Sequence, residues 1–353
     1  MTKTTALFDM HRELGAKLVD FAGWSMPLHY GSQIEEHHCV RKAAGIFDVS
    51  HMTIIDVMGA GSETYFRRLI ANDVAKLKSN GAALYGLLLN EEGGIIDDII
   101  VYRQRAGFRL ISNASTRHGV VAWLHRHNSE GIEIVEAKLA MMAIQGPQAI
   151  QAFKTVNGGA VPTAAFTAIS SGELFVARTG YTGEDGLEII LPEKLATEFW
   201  KQMVDGGVRP IGLGARDSLR LEAGLNLYGL DMTENTSPLV SNLSWTLCWE
   251  ARDRNFIGKE ALERQLEEGA SLKLTGLVLE AKGVMRAGQT VYTGSGNGVV
   301  TSGIFSPTLG CSIALARLPK EALGSCEIGL RGKRAKARIV RPPFVRHGKK
   351  IYQ

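Results

Sequence analysis

Few cysteines, no long apolar run and little excess charge of either sign mark this sequence of 353 residues. Its four cysteines, Cys39, Cys248, Cys311 and Cys326, lie far apart with no Cys-x-x-Cys pair. That spacing argues against a zinc site or a disulfide scaffold and fits a reducing cytoplasm. No apolar run approaches the roughly 20 residues that a membrane span needs. The opening Met1-Thr2-Lys3-Thr4-Thr5-Ala6-Leu7 has neither the apolar core of a secretory signal nor an Arg-rich transit pattern. The expectation is a cytoplasmic protein with no membrane partner. A net charge of +4 does not by itself indicate nucleic acid. The turn Gln145-Gly146-Pro147 lacks the Lys-Ser/Thr of a phosphate loop and any glycine fingerprint. His37, His38 and Cys39 adjoin on a predicted helix, where neighbours diverge by about 100° and do not converge on one metal ion.

What is present indicates a globular protein. Apolar residues make up 45% and charged residues 22% of a chain long enough for two or three domains. Glycine is abundant and scattered, which predicts many turns and much β structure. The central stretch is Gly93-Gly94-Ile95-Ile96-Asp97-Asp98-Ile99-Ile100-Val101-Tyr102: a Gly-Gly turn opening a buried strand. Successive strand residues face opposite ways, so Asp97 and Asp98 cannot share one solvated side. At least one carboxylate enters apolar surroundings, where it must be paired, hydrogen-bonded or used.

Along the chain, residues 20–31 read as an aromatic-rich loop with strand fragments. Ser32-Gln33-Ile34-Glu35 is a capping box that starts a helix through Lys42, with Gly45 as its stop. Residues 46–57 alternate as one strand. Residues 61–69 form a short helix, and two hairpins between 82 and 113 make an antiparallel meander. Ser115 caps a further helix, which leads to a strand at 132–135. This β-α-β unit beside hairpins predicts a split, ferredoxin-like lobe. A strand at 139–144 and a strand pair at 174–178 and 187–191 follow, the pair flanking Gly180-Tyr181-Thr182-Gly183-Glu184-Asp185-Gly186. Helices at 193–204 and 214–224 come next. Arg216 and Arg220 lie one turn apart, placed either to clamp a carboxylate or to pair with Asp217 and Glu222. From about residue 271 the pattern is short strands between Gly, Ser and Asn turns, an all-β module. Arg334, Lys336 and Arg338 share one face there, as a charged edge strand or as a docking surface for an acidic partner.

Several stretches together resemble the aminomethyltransferase (T protein) family of the glycine cleavage system. They are Phe21-Ala22-Gly23-Trp24 with Pro27, Phe47-Asp48-Val49-Ser50-His51-Met52, the Gly93 to Val101 run, and Gly180 to Glu188. Gly214 to Gly224, Leu243-Ser244-Trp245-Thr246, Thr301-Ser302-Gly303 and Ser306-Pro307-Thr308-Leu309-Gly310 continue the series in family order. The resemblance implies an α+β, three-domain cloverleaf around a central folate cavity, with a ferredoxin-like lobe and a C-terminal all-β, barrel or jelly-roll-like domain. Its divisions fall at 1–50 plus about 139–225, about 51–138 plus 226–270, and about 271–353. It implies tetrahydrofolate as co-substrate, no metal or flavin, and the lipoylated H protein as partner. Asp98 matches the family's essential carboxylate near the reacting folate nitrogens. Glu188 matches the acid that pairs with the pterin N–H donors, and Arg216 a folate-binding arginine. Met52, Asn113, Tyr181 and Trp245 match pocket-lining positions. After Pro342-Pro343-Phe344-Val345 the tail departs from the pattern, and no ligand contact is assigned there.

These residue types suit the implied chemistry. A buried carboxylate stabilises a cationic carbon and orients or deprotonates an attacking nitrogen. A bidentate carboxylate satisfies a donor-donor edge, and an aromatic face packs on a planar ligand. Two other readings fit the same residues: a folate-dependent demethylase of a small methylated substrate, and a non-catalytic folate-binding protein of the same fold. The flavin-linked relatives carry a flavin domain ahead of this region, and the expectation is that this protein is not one of them.

Overall fold

In a computed structural model describing residues 2–129, 131–250 and 254–352, the chain forms two compact units. The first comprises Met1–Phe66, Val74–Tyr85 and Ile99–Asp217, and the second Arg67–Asp73, Gly86–Asp98 and Ser218–Gln353. Among the described residues no helix is long and apolar enough to cross a membrane.

The first unit holds a six-stranded sheet in the order Ala168–Ser171, Leu174–Ala177, Gly186–Pro192, Leu139–Gln145, Gly45–Asp48, Arg209–Pro210. Alternation divides its two faces. Ile46, Met142, Ile144, Val176, Leu187, Ile189 and Leu191 form one core with Phe153, Phe199, Trp200 and Met203 of the helices Ala149–Asn157 and Glu193–Asp205. Each such large side chain contributes about 1.5–3 kcal/mol by leaving water. The opposite face carries Phe47, Ala143 and Glu188, which are cross-strand neighbours in the register. A core on one side thus leaves the other free to carry polar groups.

The expected single strand at 46–57 is two strands in two different sheets. Gly45–Asp48 belongs to the six-stranded sheet and Thr53–Met58 to a five-stranded one. The break is a turn in which the Ser50 N–H donates to Asp48 Oδ1 at 2.9 Å and the Met52 N–H to the Val49 carbonyl at 3.0 Å. The alternating polarity of Val49 to Met52 mimics a strand. Gly45 does not stop the preceding helix: Gln33–Lys42 ends on Ala43, and Gly45 opens the next strand. It is glycine because a Cβ there would lie 2.4 Å from Ile211 Cγ1. At the other end Ser32 Oγ accepts the Glu35 N–H at 3.3 Å, the expected cap. The helix expected to be capped by Ser115 starts at Arg117 with Thr116 before it, and Thr116 Oγ1 instead turns back to the Asn113 carbonyl.

The five-stranded sheet runs Ala83–Leu89, Ile95–Gln104, Gly107–Ser112, Thr53–Met58, Glu133–Glu136. Gly107–Ser112 and Glu133–Glu136 both pair antiparallel with Thr53–Met58, which sits between them, and the helix Arg117–Arg126 connects them. That is the expected split β-α-β. The strand Ile95–Gln104 passes from the second unit into the first at Asp98.

The second unit contains a closed barrel of Leu272–Leu279, Cys311–Pro319, Gly296–Ser306, Thr290–Thr293, Ser325–Leu330 and Lys333–Val340. Leu277, Val291, Ala314, Ala316, Leu318 and Ile328 fill its interior, while Leu274, Val278, Ile313 and Leu315 face outward against Leu221 and Phe344. Closure corrects the edge-strand reading of the basic strand: Lys333–Val340 is paired on both sides. Arg220 reaches beyond its own helix. Its guanidinium reaches Asp231 Oδ2 at 2.9 Å and Ser302 Oγ at 3.0 Å, and Thr301 Oγ1 donates to Asp231 Oδ1 at 2.5 Å. Glu222 likewise receives the hydroxyls of Ser306 and Thr308. The Thr301-Ser302 and Ser306-Pro307-Thr308 motifs therefore anchor a helix end to the barrel.

Removing one member of a buried ion pair strands the other. Asp231→Ala should lower stability by about 3–5 kcal/mol in urea unfolding, whereas Glu280→Ala, which breaks the exposed pair with Arg338, should stay within about 0.5 kcal/mol.

Candidate active site

The loop between the strands Leu174–Ala177 and Gly186–Pro192 is built around one side chain, Gln145. Its Nε2 donates to the Thr179 carbonyl at 3.1 Å, and its Oε1 accepts the Thr182 hydroxyl at 2.9 Å. Gly180 and Gly186 flank it: a Cβ on either would lie 2.0 Å and 2.4 Å from the Gln145 amide. Gly183 turns at φ 78°. Arg178 grips Asp185 through two bonds of 3.0 and 2.6 Å, and Arg41 holds the Thr182 carbonyl and Glu184 at 2.7 and 2.8 Å. The Gly-Tyr-Thr-Gly-Glu-Asp-Gly run is thus a rigid loop, and it presents Tyr181.

Glu188 lies on the strand beyond that loop, 6% exposed. Its Oε2 accepts the Thr179 hydroxyl at 2.5 Å, and Thr179 in turn meets the Tyr102 hydroxyl at 3.1 Å. Its other oxygen has no hydrogen-bond partner among the described residues. Burial raises the Glu188 pKa, against the Thr179 hydrogen bond and the nearby Arg216 charge. Burial lowers that of Arg216, against the pull of Tyr181 and Glu188. The Arg216 guanidinium lies 4.7 Å from the centre of the Tyr181 ring. The first unit therefore brings together three of the expected residues, Glu188, Arg216 and Tyr181.

Met52 and Asn113 flank the Thr53–Ser112 pair at the end of one antiparallel ladder, both half-buried. Beside Met52, His51 is 3% exposed and its Nδ1 has no hydrogen bond among the described residues. Burial and the Arg216 charge depress its pKa to about 4, with Asp48 opposing. His51, Thr179 and Tyr102 have no assigned role in the sequence reading. His51 stood inside a quoted motif, but its burial is a tertiary property.

In the second unit, Gly93 turns at φ 79° and Gly94 is pressed against the Glu234 carbonyl, which a Cβ would approach to 1.8 Å. The Ile95 N–H donates to the Thr233 and Thr236 carbonyls, and the Tyr228 hydroxyl to the Ile95 carbonyl at 3.1 Å. These clamps fix the start of the strand. Asp97 is fully buried and Asp98 half-buried, as two faces of unequal wetness require. Trp245 sits in the short helix Ser244–Thr246 and is 68% exposed.

The family model of the GCVT N-terminal domain matches residues 7–251, and that of the glycine cleavage T-protein C-terminal barrel domain matches residues 273–346. The chain belongs to the glycine cleavage T-protein family. An aminomethyltransferase of Pseudomonas syringae pv. tomato is 51% identical over 359 residues, covering 99% of this chain and 100% of that protein. One of Chromobacterium violaceum is 50% identical, covering 99% of each. The glycine cleavage system aminomethyltransferase T of Bartonella henselae, a crystal structure, matches with a TM-score of 0.94 at 35% identity, covering 98% of this chain and 99% of that one. The T-protein fold, with mixed helix and sheet and a C-terminal barrel, is the architecture that the sequence reading expected.

A buried acid whose pKa is raised on folding binds more protons native than unfolded. It therefore costs stability as pH rises from the ordinary glutamate range through its raised folded value. Glu188→Gln removes that cost. Melting temperatures of the two proteins should converge on the acid side and separate as pH rises, Gln above Glu by about 2–4 °C per kcal/mol released.

Proposed function

We propose that this T-protein-family enzyme moves the methylene carbon of an S-aminomethyl-dihydrolipoyl group on the lipoylated H protein to tetrahydrofolate. The products are 5,10-methylenetetrahydrofolate, ammonia and the dihydrolipoyl carrier. Full-length identity to aminomethyltransferases supports the reaction class, and the observation that carries the ligand reading is Glu188. A pterin offers adjacent N–H donors, and Glu188 is a buried carboxylate with an oxygen left over after Thr179 is served. Arg216 and the Tyr181 ring would hold the planar ligand beside it. Met52, Asn113 and Trp245 are further residues that this reading assigns to folate. The sequence's three-domain division, at about 139, 226 and 271, belongs to the same proposal.

Bound tetrahydrofolate supplies two nitrogens that accept the carbon. The two hydrogens they lose end on ammonia and on the carrier thiol. The transfer is redox-neutral and calls for no flavin. Asp98 is the group assigned to the reacting atoms: a half-buried carboxylate can stabilise positive charge developing on the S–CH2 carbon as ammonia leaves, or take the proton of the attacking nitrogen. Asp97, fully buried, is assigned to the strand's packing face. Four free cysteines agree with a cytoplasmic setting.

The test is methylenetetrahydrofolate formation from tetrahydrofolate and aminomethylated carrier, run with and without the carrier. Carrier-dependent product with ammonia release is expected. Turnover of a small methylated donor without carrier would assign a demethylase, and binding without turnover a non-catalytic folate protein. Asp98→Asn should lower transfer by about 10²–10⁴-fold while tetrahydrofolate binding stays within a few-fold. If Asp97→Asn is instead the inactive variant and Asp98→Asn turns over normally, the functional face is the other one.

A further inference from the structure

Two motifs of the sequence meet in the first unit at a group that the reaction above does not use. Phe21 and His51 pack edge to face, with ring centroids 5.4 Å apart and planes at 85°. Each ring is held from its own side. Phe21 closes the hairpin Lys17–Phe21/Trp24–His29, whose two-residue turn has positive φ at both Ala22 (52°) and Gly23 (80°). A side chain at positive φ is disfavoured, so the surroundings must hold this turn in place. The Gly23 N–H is tied to Asp20 Oδ1 at 3.1 Å, and the Lys3 N–H to the Gly23 carbonyl at 2.8 Å.

His51 is fixed by the turn that follows Asp48. That carboxylate takes the Thr5 hydroxyl at 2.6 Å, His11 Nε2 at 2.9 Å and the Ser50 N–H at 2.9 Å, and the Ser50 hydroxyl is bonded to the Met141 backbone at 3.1 Å. So much anchoring delivers an imidazole that is 3% exposed and whose Nδ1 is left without a hydrogen bond among the described residues. A buried polar atom without a partner is costly, and such atoms are retained where a ligand or an ordered water completes them. The charged groups acting on His51 are Arg216 and Asp48, and the balance of burial and charge keeps the ring neutral. Arg216 is also the common neighbour of Glu188 and Tyr181.

We propose that His51 is a further ligand-contacting residue of the tetrahydrofolate site, giving the reduced pterin a neutral hydrogen-bonding partner beside Arg216 and Glu188. This rests on the folate reading above. A cation acting on both a carboxylate and a neutral imidazole suits an uncharged heterocycle that carries both donors and acceptors. A phosphate or other anion would be served by Arg216 and repelled by Glu188, and would gain little from an uncharged ring.

Three variants of the full chain separate this role from packing. His51→Phe keeps a ring against Phe21 and removes both nitrogens. His51→Asn keeps a polar atom near the place of Nδ1. His51→Leu is a second apolar variant should the Phe protein not fold. Tetrahydrofolate affinity is measured by titration calorimetry, with melting temperature and, on the aminomethylated carrier, kcat and KM for folate alongside. The proposal expects affinity about tenfold weaker in the apolar variants, the equivalent of one neutral hydrogen bond. It expects recovery to within about threefold in Asn, and an unchanged or raised melting temperature in Phe because an unpaired polar atom has gone. Wild-type affinity in a folded apolar variant overturns it. An equal loss in Phe and Asn, following a lowered melting temperature, also overturns it and assigns His51 to packing. Failure of the wild-type protein to bind tetrahydrofolate would overturn the folate reading itself, whereas normal wild-type binding with normal binding in Phe overturns only the role of His51.

Discussion

A carboxylate taken out of water has to be answered by donors, and the way this chain answers its buried acids decides most of its architecture. Asp48 gathers the N-terminal helix, through His11, and the turn before the second sheet, through Ser50. Glu36 accepts the N–H groups of Tyr30 and Gly212, drawing the preceding turn and a distant segment onto one helix. Asp231 and Glu222 tie a helix end and a loop to the barrel through Arg220, Thr301, Ser302, Ser306 and Thr308. In each of these four cases at least one bond joins segments far apart in sequence. Glu188 is treated differently. Its partner Thr179 is nine residues away, and one oxygen is left without a hydrogen bond among the described residues.

The contrast explains which parts of the chain could be read from sequence. Elements whose signal is local were legible: the Gly-Gly turn into the strand at Ile95, the Ser32 cap, the amphipathic helix Glu193–Asp205 and the run of short strands that closes into a barrel. Elements decided by a distant partner were misread. Residues 46–57 alternate correctly for a strand, and although the Ser50 N–H bond that ends it is local, the Thr5 and His11 bonds that hold Asp48 in place come from distant residues. Gly45 looked like a helix stop because glycine usually serves there, whereas its lack of a side chain makes room for Ile211. Spacing alone left Arg220 either to clamp a carboxylate or to pair within its helix, and did not reveal that it reaches Asp231, on the loop that follows.

The candidate site divides in the same way. That Asp97 and Asp98 face opposite sides followed from strand geometry alone, and the structure gives them unequal exposure. Glu188, Arg216 and Tyr181 were reached through resemblance, because no local pattern marks a glutamate in Leu-Glu-Ile-Ile-Leu as more than a polar residue on one strand face. Their assembly depends on Gln145, a side chain from another strand that fills the space left by Gly180 and Gly186. The glycines of the motif are legible as turns, but their closeness to Gln145 is not.

Electrostatics then assigns different work to different carboxylates. Around Arg216, desolvation raises Glu188 against the guanidinium and lowers His51 together with it, so each moves toward its uncharged form. Such an environment receives a neutral, hydrogen-bonding heterocycle at less cost than a charged one, because little fixed charge has to be matched. A transfer that expels ammonia develops positive charge, and a site biased toward neutrality stabilises it poorly. The role proposed for Asp98 calls for a carboxylate that remains in touch with water or substrate, and Asp98 is half-buried where its neighbour Asp97 is buried. Binding the ring and bearing the charge make opposite demands on the surroundings of a carboxylate. In the proposed function the first falls to Glu188 and the second to Asp98, on separate strands, so that each environment is set independently.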